Sequence, residues 1–283
     1  MDSELRVGLV RRRAMNQSLD ALHISISPCP NDTFAFGYLI EQLLPWAGPS
    51  LKFSFADIET LNQCGLSEQA PDILKFSYAL WPSLKPNYRL CPYGSALGMG
   101  VGPLLVGHKT LELGQIQKVL VPGLRTTAHL LYRQFGPKCP VQVERYDRIL
   151  PQLREHKDWA GVIIHESRFT YQDDHLHCLC DLGQRWEAQT HAPLPLGGIA
   201  IHRRVPFKLA QQFSQVLKLS LERAWADRRP ILKLMRSLAQ EMDDDVMARH
   251  VELYVNQYSA GLDGLAREAI EKLCGESCSE EGL

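Results

Sequence analysis

The stretch Ala160-Gly161-Val162-Ile163-Ile164 is an apolar, β-branched run that stops abruptly at four polar residues, His165-Glu166-Ser167-Arg168. Such a run predicts a buried strand with the polar cluster at its carboxyl end. Open α/β sheets keep their ligand crevices at that end of their strands. His165 is therefore expected on a rigid element facing a crevice, with an ordinary imidazole pKa of about 6.5 that suits proton transfer near neutrality. The competing reading is a hydrogen-bonded core histidine, against which the three polar neighbours argue. Glu166 is the rival base: on a continuing strand it would face the other way, but a turn after His165 would swing it back.

Strand-like and helix-like patterns alternate along the rest of the chain, as an α/β sheet requires. Leu22–Ser27 alternates as a strand, Pro28-Cys29-Pro30-Asn31 forms a turn, and Thr33–Leu44 has helical spacing. Leu51–Phe55 reads as a second strand, Asp57–Asn62 opens a helix with acidic residues in its first turn, and Ile73–Ser77 is a third strand. Further strands are predicted over Gly102–Val106, Lys118–Val121 and Val141–Glu144, and Pro122–Thr127 is the turn that opens a helix over Ala128–Phe135. After the punctuation Pro193–Gly198, Ile199–Ile201 returns as a strand ahead of a helical tail from Phe207 to about Leu273. Extended stretches near residues 102–106 and 198–201 are natural crossings between an outer domain and an inserted one. The expected fold is thus two α/β domains with a hinged interdomain cleft: residues 21–104 and 198–283 form a discontinuous larger domain, 105–197 a smaller inserted one, and 1–20 an N-terminal extension.

Length and charge agree with this plan and exclude several functions. At 283 residues the chain is long for one core and suits two α/β domains of ordinary size. With 31 Lys plus Arg against 32 Asp plus Glu, the net charge is −1; no basic tract suggests a nucleic-acid groove, and Arg11-Arg12-Arg13 reads as a solvated surface run. No uncharged apolar stretch approaches the roughly 18 residues of a membrane span. The first residues place acids before a short apolar core, Val7–Val10, and arginines after it, the reverse of a secretory leader. A cytoplasmic protein is expected, with its eight cysteines as free thiols.

Several motifs that suggest cofactors do not hold up. Gly98-Met99-Gly100-Val101-Gly102 lacks the dinucleotide spacing and runs into Pro103 and a strand, so it reads as a flexible approach to the hinge. His175, His177, Cys178 and Cys180 are metal-ligand types, yet a period of two splits them between strand faces. Cys29, between two prolines, reads as part of a rigid turn lining the pocket and not as a nucleophile. Lys75 has the chemistry for a Schiff base, but an ion pair or a carboxylate contact is its commoner use. No metal and no cofactor are expected.

Six strings, in this order, carry a resemblance to a known family: Ser27-Pro28-Cys29-Pro30-Asn31-Asp32-Thr33-Phe34, Lys75-Phe76-Ser77-Tyr78, Gly98–Pro103, Tyr146–Pro151, Ile163–Tyr171 and Leu194–Gly198. Across roughly residues 22–260 the chain resembles the 1,4-dihydroxy-6-naphthoate synthases of the futalosine route to menaquinone. The resemblance implies a fold like the type II periplasmic binding proteins and a cofactor-free lyase. Its substrate would be cyclic dehypoxanthine futalosine, and its products 1,4-dihydroxy-6-naphthoate and dihydroxyacetone. By position it makes His165 the proton acceptor and places Lys75, Phe76, Ser77, Thr126, Thr127 and Ala128 in substrate-contacting segments. The sister enzyme that acts on chorismate earlier in the same route shares the general fold, but the first and fifth strings are not associated with it.

The residues make chemical sense of that reaction. Breaking a carbon–carbon bond next to a carbonyl, with aromatisation, needs a base and donors for the developing oxyanion, and because the forming aromatic ring itself stabilises the product no electron-sink cofactor is needed. The turns at Pro30–Thr33, which includes Asn31, at Ser77 and at Arg125–Ala128 each precede a helix, whose free N–H groups suit an anion such as the substrate's aromatic carboxylate. Ordinary N-capping is the alternative use of the threonines. Two other classes fit the plan less well. A binding protein for small carboxylates shares the hinged plan but normally needs an export signal, and a ligand-sensing regulator needs a DNA-binding module for which the first twenty residues are too short.

Overall fold

The computed structural model describes residues 20–239 and 243–275. Apart from Asp20, the N-terminal extension with Arg11–Arg13 lies outside the described residues, as does Cys278. The strands are β1 (Ala21–Ile26), β2 (Ser50–Phe55), β3 (Ile73–Ser77), β4 (Tyr88–Leu90), β5 (Ala96–Gly98), β6 (Leu104–His108), β7 (Lys118–Val121), β8 (Val141–Val143), β9 (Trp159–Ile163), β10 (Leu176–Asp181) and β11 (Leu194–His202). They form two mixed sheets, one ordered β2-β1-β3-β11-β4 with β5 also on β11, the other ordered β10-β6-β9-β7-β8. In the first sheet β1 runs parallel to both β2 and β3, while β11 is antiparallel to its neighbours. In the second, β7 and β9 are parallel.

Position in the sheet explains each strand's composition. Central β3 is buried at all five residues, whereas edge strand β2 alternates between half-buried and exposed positions. Returning strand β11 begins at Leu194, ahead of the Ile199–Ile201 run that sequence alone marks as strand. Pro195 is accommodated there because the pairing with β5 shifts register between Pro195 and Gly197, which removes the ladder bond the proline cannot make.

The longer helices are α1 (Pro30–Ile40), α2 (Ile58–Gly65), α3 (Thr127–Phe135), α4 (Tyr146–Glu155), α5 (Leu182–Thr190), α6 (Phe207–Ala226), α7 (Leu232–Leu238), α8 (Asp244–Tyr254) and α9 (Gly264–Cys274). The first of them starts three residues before the spacing predicts, because Pro30 occupies the first helical position, where its missing N–H goes unused. It stops short of Leu44, since Gln42 takes the left-handed conformation at φ 55°. The helical tail is broken into α6–α9, with α6 lying against α1.

Two apolar layers cover the first sheet. On one side Ile24, Phe36, Phe213 and Leu217 pack together, and on the other Leu74, Phe76, Trp81 and Ile270 do. Each such side chain, fully buried, contributes roughly 1.5–3 kcal/mol. The second sheet is covered likewise, by Val121, Leu131 and Trp186 on one face and by Ile149, Leu153 and Ile163 on the other. Tyr254 of α8 joins the former cluster, so the carboxyl-terminal helices touch both sheets. Where the chain crosses from one sheet to the other, Gly102 lies so close to Gly183 that an added Cβ would sit 2.2 Å from its Cα. No helix among the described residues is long and apolar enough to cross a membrane.

Candidate active site

Parallel strands deliver their carboxyl ends to one place. The end of β3 and the segments that follow β1, β7 and β9 bring Ser77, Asn31, Thr126–Ala128 and His165 to a single cleft of about 590 Å³, counting its open mouth. Sequence reasoning named every one of these. Lys75 of β3 and Tyr254 of α8 also line it.

His165 is the first residue beyond the Ile163–Ile164 run and takes the left-handed conformation at φ 56°. For a residue other than glycine that backbone is strained, a cost that folds tolerate most often at functional sites. Its Nε2 is sealed from solvent and has no hydrogen-bond partner among the described residues. Tyr146 meets the imidazole edge-on at 5.1 Å, and His250 lies nearly parallel to it at 6.1 Å. Burial pushes the His165 pKa down to about 4, against a smaller upward pull from Asp32. The expectation of an ordinary value near 6.5 is thus corrected: its sequence context showed the apolar strand but not the rings that close over it.

The turn at His165 does swing Glu166 back, since its carboxylate, the His165 ring and the Cys29 thiol each place one atom within 4.8 Å of the others. Among the described residues this is the one group with the make-up of a metal site. A proton acceptor and a metal ligand require the same imidazole lone pair, however, and the thiol is poorly disposed to ionise. Burial first, and then Glu166, hold the Cys29 thiol well above the usual cysteine range. Cys29 is buried behind the cleft and does not line it, contrary to the expectation from its turn. The base that sequence could not find beside Cys29 is His165, but a protonated thiol is no nucleophile.

The same cleft holds the ion pair that is the commoner use of a lysine like Lys75, and its partner, Asp32, is one the sequence did not name. Lys75 Nζ lies 2.7 Å from Asp32 Oδ1, with the two side chains 6% and 1% exposed. The Asp32 carboxylate accepts hydrogen bonds from Ser27 N at 3.2 Å, Ser27 Oγ at 2.7 Å and Asn31 Nδ2 at 2.9 Å. That last bond orients the Asn31 amide, so its Oδ1 faces His250 Nε2 at 3.0 Å and that nitrogen carries the proton. His250 is wholly buried, and its pKa is held well below the ordinary value by burial and by the nearby His165. Its only sequence signal is a place on the apolar face of α8, with Met247, Val251 and Tyr254.

The two threonines make different bonds. Thr126 caps α3, accepting from His129 N at 3.1 Å and donating to Gly123 O at 2.8 Å. Thr127 instead donates to Leu196 O at 2.9 Å and accepts from Ala79 N at 3.2 Å, tying the start of α3 to the other sheet. Ser77 Oγ accepts from Asn62 Nδ2 at 3.0 Å, which leaves its own proton to give, and Asn62 also reaches Arg125 O at 3.4 Å. Two expected contact residues do not reach the cleft. Phe76 points into the core against Tyr78 and Trp81, because neighbours on a strand face opposite ways. Thr33 is fully buried and donates to Cys29 O at 3.2 Å within the first turn of α1.

The family model described as menaquinone biosynthesis matches residues 22–277. A Thermus thermophilus protein named 1,4-dihydroxy-6-naphthoate synthase is 39% identical over 260 residues, 92% of this chain and 94% of the relative. Its Streptomyces coelicolor namesake is 37% identical over 270 residues, 93% of this chain and 95% of the relative. Among solved structures, an Archaeoglobus fulgidus protein superposes with a TM-score of 0.83 at 26% identity, over 90% of this chain and 95% of its own. A Candida albicans protein described as having the generic periplasmic binding protein fold gives 0.59 at 11% identity, over 91% and 90% of the two chains. The two-sheet architecture is of that periplasmic-binding-protein kind.

Proposed function

Because this chain belongs to the menaquinone-biosynthesis family that includes the 1,4-dihydroxy-6-naphthoate synthases, we propose that it converts cyclic dehypoxanthine futalosine to 1,4-dihydroxy-6-naphthoate and dihydroxyacetone, with His165 as proton acceptor. The observation that carries the reading is His165 itself. Its nitrogen has no partner, it stands at a strand end in the cleft, and its environment keeps it neutral. A neutral imidazole is ready to accept a proton, and a strained backbone holds it in place.

The remaining lining divides the work. Ser77 Oγ has a proton to donate, and the start of α3 offers the N–H groups of Thr127 and Ala128 to the substrate's carboxylate. Apolar walls, including Ile58, Val101 and Tyr254, take the aromatic ring and exclude water from it. Electrons from the broken bond pass to a carbonyl oxygen and the ring aromatises, so the reaction needs no separate electron sink. Purified protein incubated with the cyclic futalosine derivative should release the naphthoate, seen by mass spectrometry. Absence of product under conditions where the Thermus relative makes it would overturn the reading.

A further inference from the structure

The base in this cleft shares it with a cation whose arrangement goes beyond binding. Lys75 is anchored on the central strand β3, its ammonium is held by Asp32, and it lines the same cleft as His165. Behind it runs a continuous chain of hydrogen bonds, His250 to Asn31 to Asp32, with Ser27 fixing the second carboxylate oxygen. Room for the lysine comes from Gly197 on the paired strand, where a Cβ would lie 3.3 Å from Lys75 Cε and 2.8 Å from Phe76 O. Three elements far apart in the chain thus converge to hold one amine, a degree of support that a contact for a distant carboxylate does not need. The carboxylate already has another place, at the start of α3.

We propose that Lys75 is the general acid of the reaction, paired with His165 as base and positioned by the Asp32-Asn31-His250 chain. The assignment rests on the lyase reading above. In the cleavage step His165 takes the proton of the hydroxyl on the carbon that becomes the new carbonyl. The adjacent carbon–carbon bond breaks, and its electron pair moves into the departing fragment as an enediolate, whose oxygen faces the Lys75 ammonium. Lys75 then gives a proton to the carbon, forming the hydroxyketone. The proton on His165 returns to the neutral amine. One proton has moved from oxygen to carbon, both residues are restored, and no oxidant, reductant or co-reactant is consumed.

A pairing of this kind differs from a Schiff-base mechanism, in which the amine nitrogen attacks a carbonyl and forms a covalent adduct, whereas here the amine stays in its ion pair with Asp32, 2.7 Å away.

The test compares wild type with Lys75→Ala, Lys75→Arg and the double variant Lys75→Met with Asp32→Asn, using cyclic dehypoxanthine futalosine as substrate. The double variant removes the stranded carboxylate and so keeps the comparison available where Lys75→Ala does not fold. In each variant kcat should fall by about 10² to 10⁴ with KM within a fewfold of wild type. Ethylamine should restore part of the rate in Lys75→Ala. Lys75→Arg should stay inactive, because a guanidinium keeps the charge but does not give up its proton. Raised KM with intact kcat, or full activity in Lys75→Arg, would show a binding cation and overturn the assignment. A borohydride-trapped adduct on Lys75 would overturn it in favour of covalent chemistry. An inert wild type would remove the lyase reading and this assignment with it, whereas an active wild type with fully active variants removes this assignment alone.

Discussion

At the scale of single residues, the role proposed for His165 sets what to expect of both activity and pH behaviour. His165→Asn keeps the shape and some hydrogen bonding, so folding and substrate binding should stay near normal while kcat falls by about 10² to 10⁴. A base with its pKa lowered to about 4 is active above that value. The acid limb of kcat/KM should therefore lie well below the 6 to 7 of an ordinary histidine, and the rate should be flat near neutrality. A limb centred near 6.5 that vanishes in the Asn variant would restore the ordinary value. The same burial bears on stability. Both His165 and His250 are kept neutral in the fold, so the unfolded chain binds more protons between their lowered values and about 6.5. Stability is fully present above that range and is lost as pH falls through it. Urea midpoints at pH 7 and pH 5 should differ in that direction, and by less in His165→Asn; an unchanged midpoint would mean that these rings are solvated.

At the scale of elements, the start of α3 separates capping from binding. Thr126→Ala removes the cap bond to His129 N, which should cost about 1 kcal/mol of stability and leave substrate affinity nearly unchanged. Ser77→Ala removes a hydroxyl with a free proton in the cleft and should weaken binding roughly tenfold, the equivalent of one hydrogen bond to a charged group. Thermal melts alongside calorimetric titration would tell them apart, and a Ser77 variant that only melts lower would be structural. The helix after the Pro28–Asn31 turn was legible from its spacing, although neither its start at Pro30 nor its end was. The left-handed Gln42 that stops it depends on where the next segment is packed, which local periodicity does not encode.

At the scale of the whole molecule, polar contacts join the two sheets across the cleft. Glu59 of α2 accepts from Arg125 N at 3.1 Å, and its carboxylate lies 3.5 Å from the Arg125 guanidinium across the cleft. Ligand should favour a closed arrangement of the halves, and small-angle scattering with product should show compaction. Glu59→Ala should weaken ligand binding by up to about tenfold, because closure loses a charged contact that is partly screened by solvent. An unchanged radius of gyration at saturating ligand counts against hinge closure.

Periodicity and turn chemistry were enough to place β3, β7 and β9, and with them Ser77, Thr126 and His165, because a residue at a strand end is determined by its immediate neighbours. The α/β class followed from the same alternation. What folding alone decided lies between residues far apart in the chain: the Lys75–Asp32 pair across 43 positions, the Asn31–His250 bond across 219, and the ring environment that lowers the His165 pKa. Phe76 and Thr33 show the converse, since each stands within two positions of a cleft residue in sequence and packs away from the cleft in space. Desolvation and long-range pairing are properties of surroundings, and a linear chain has none until it folds.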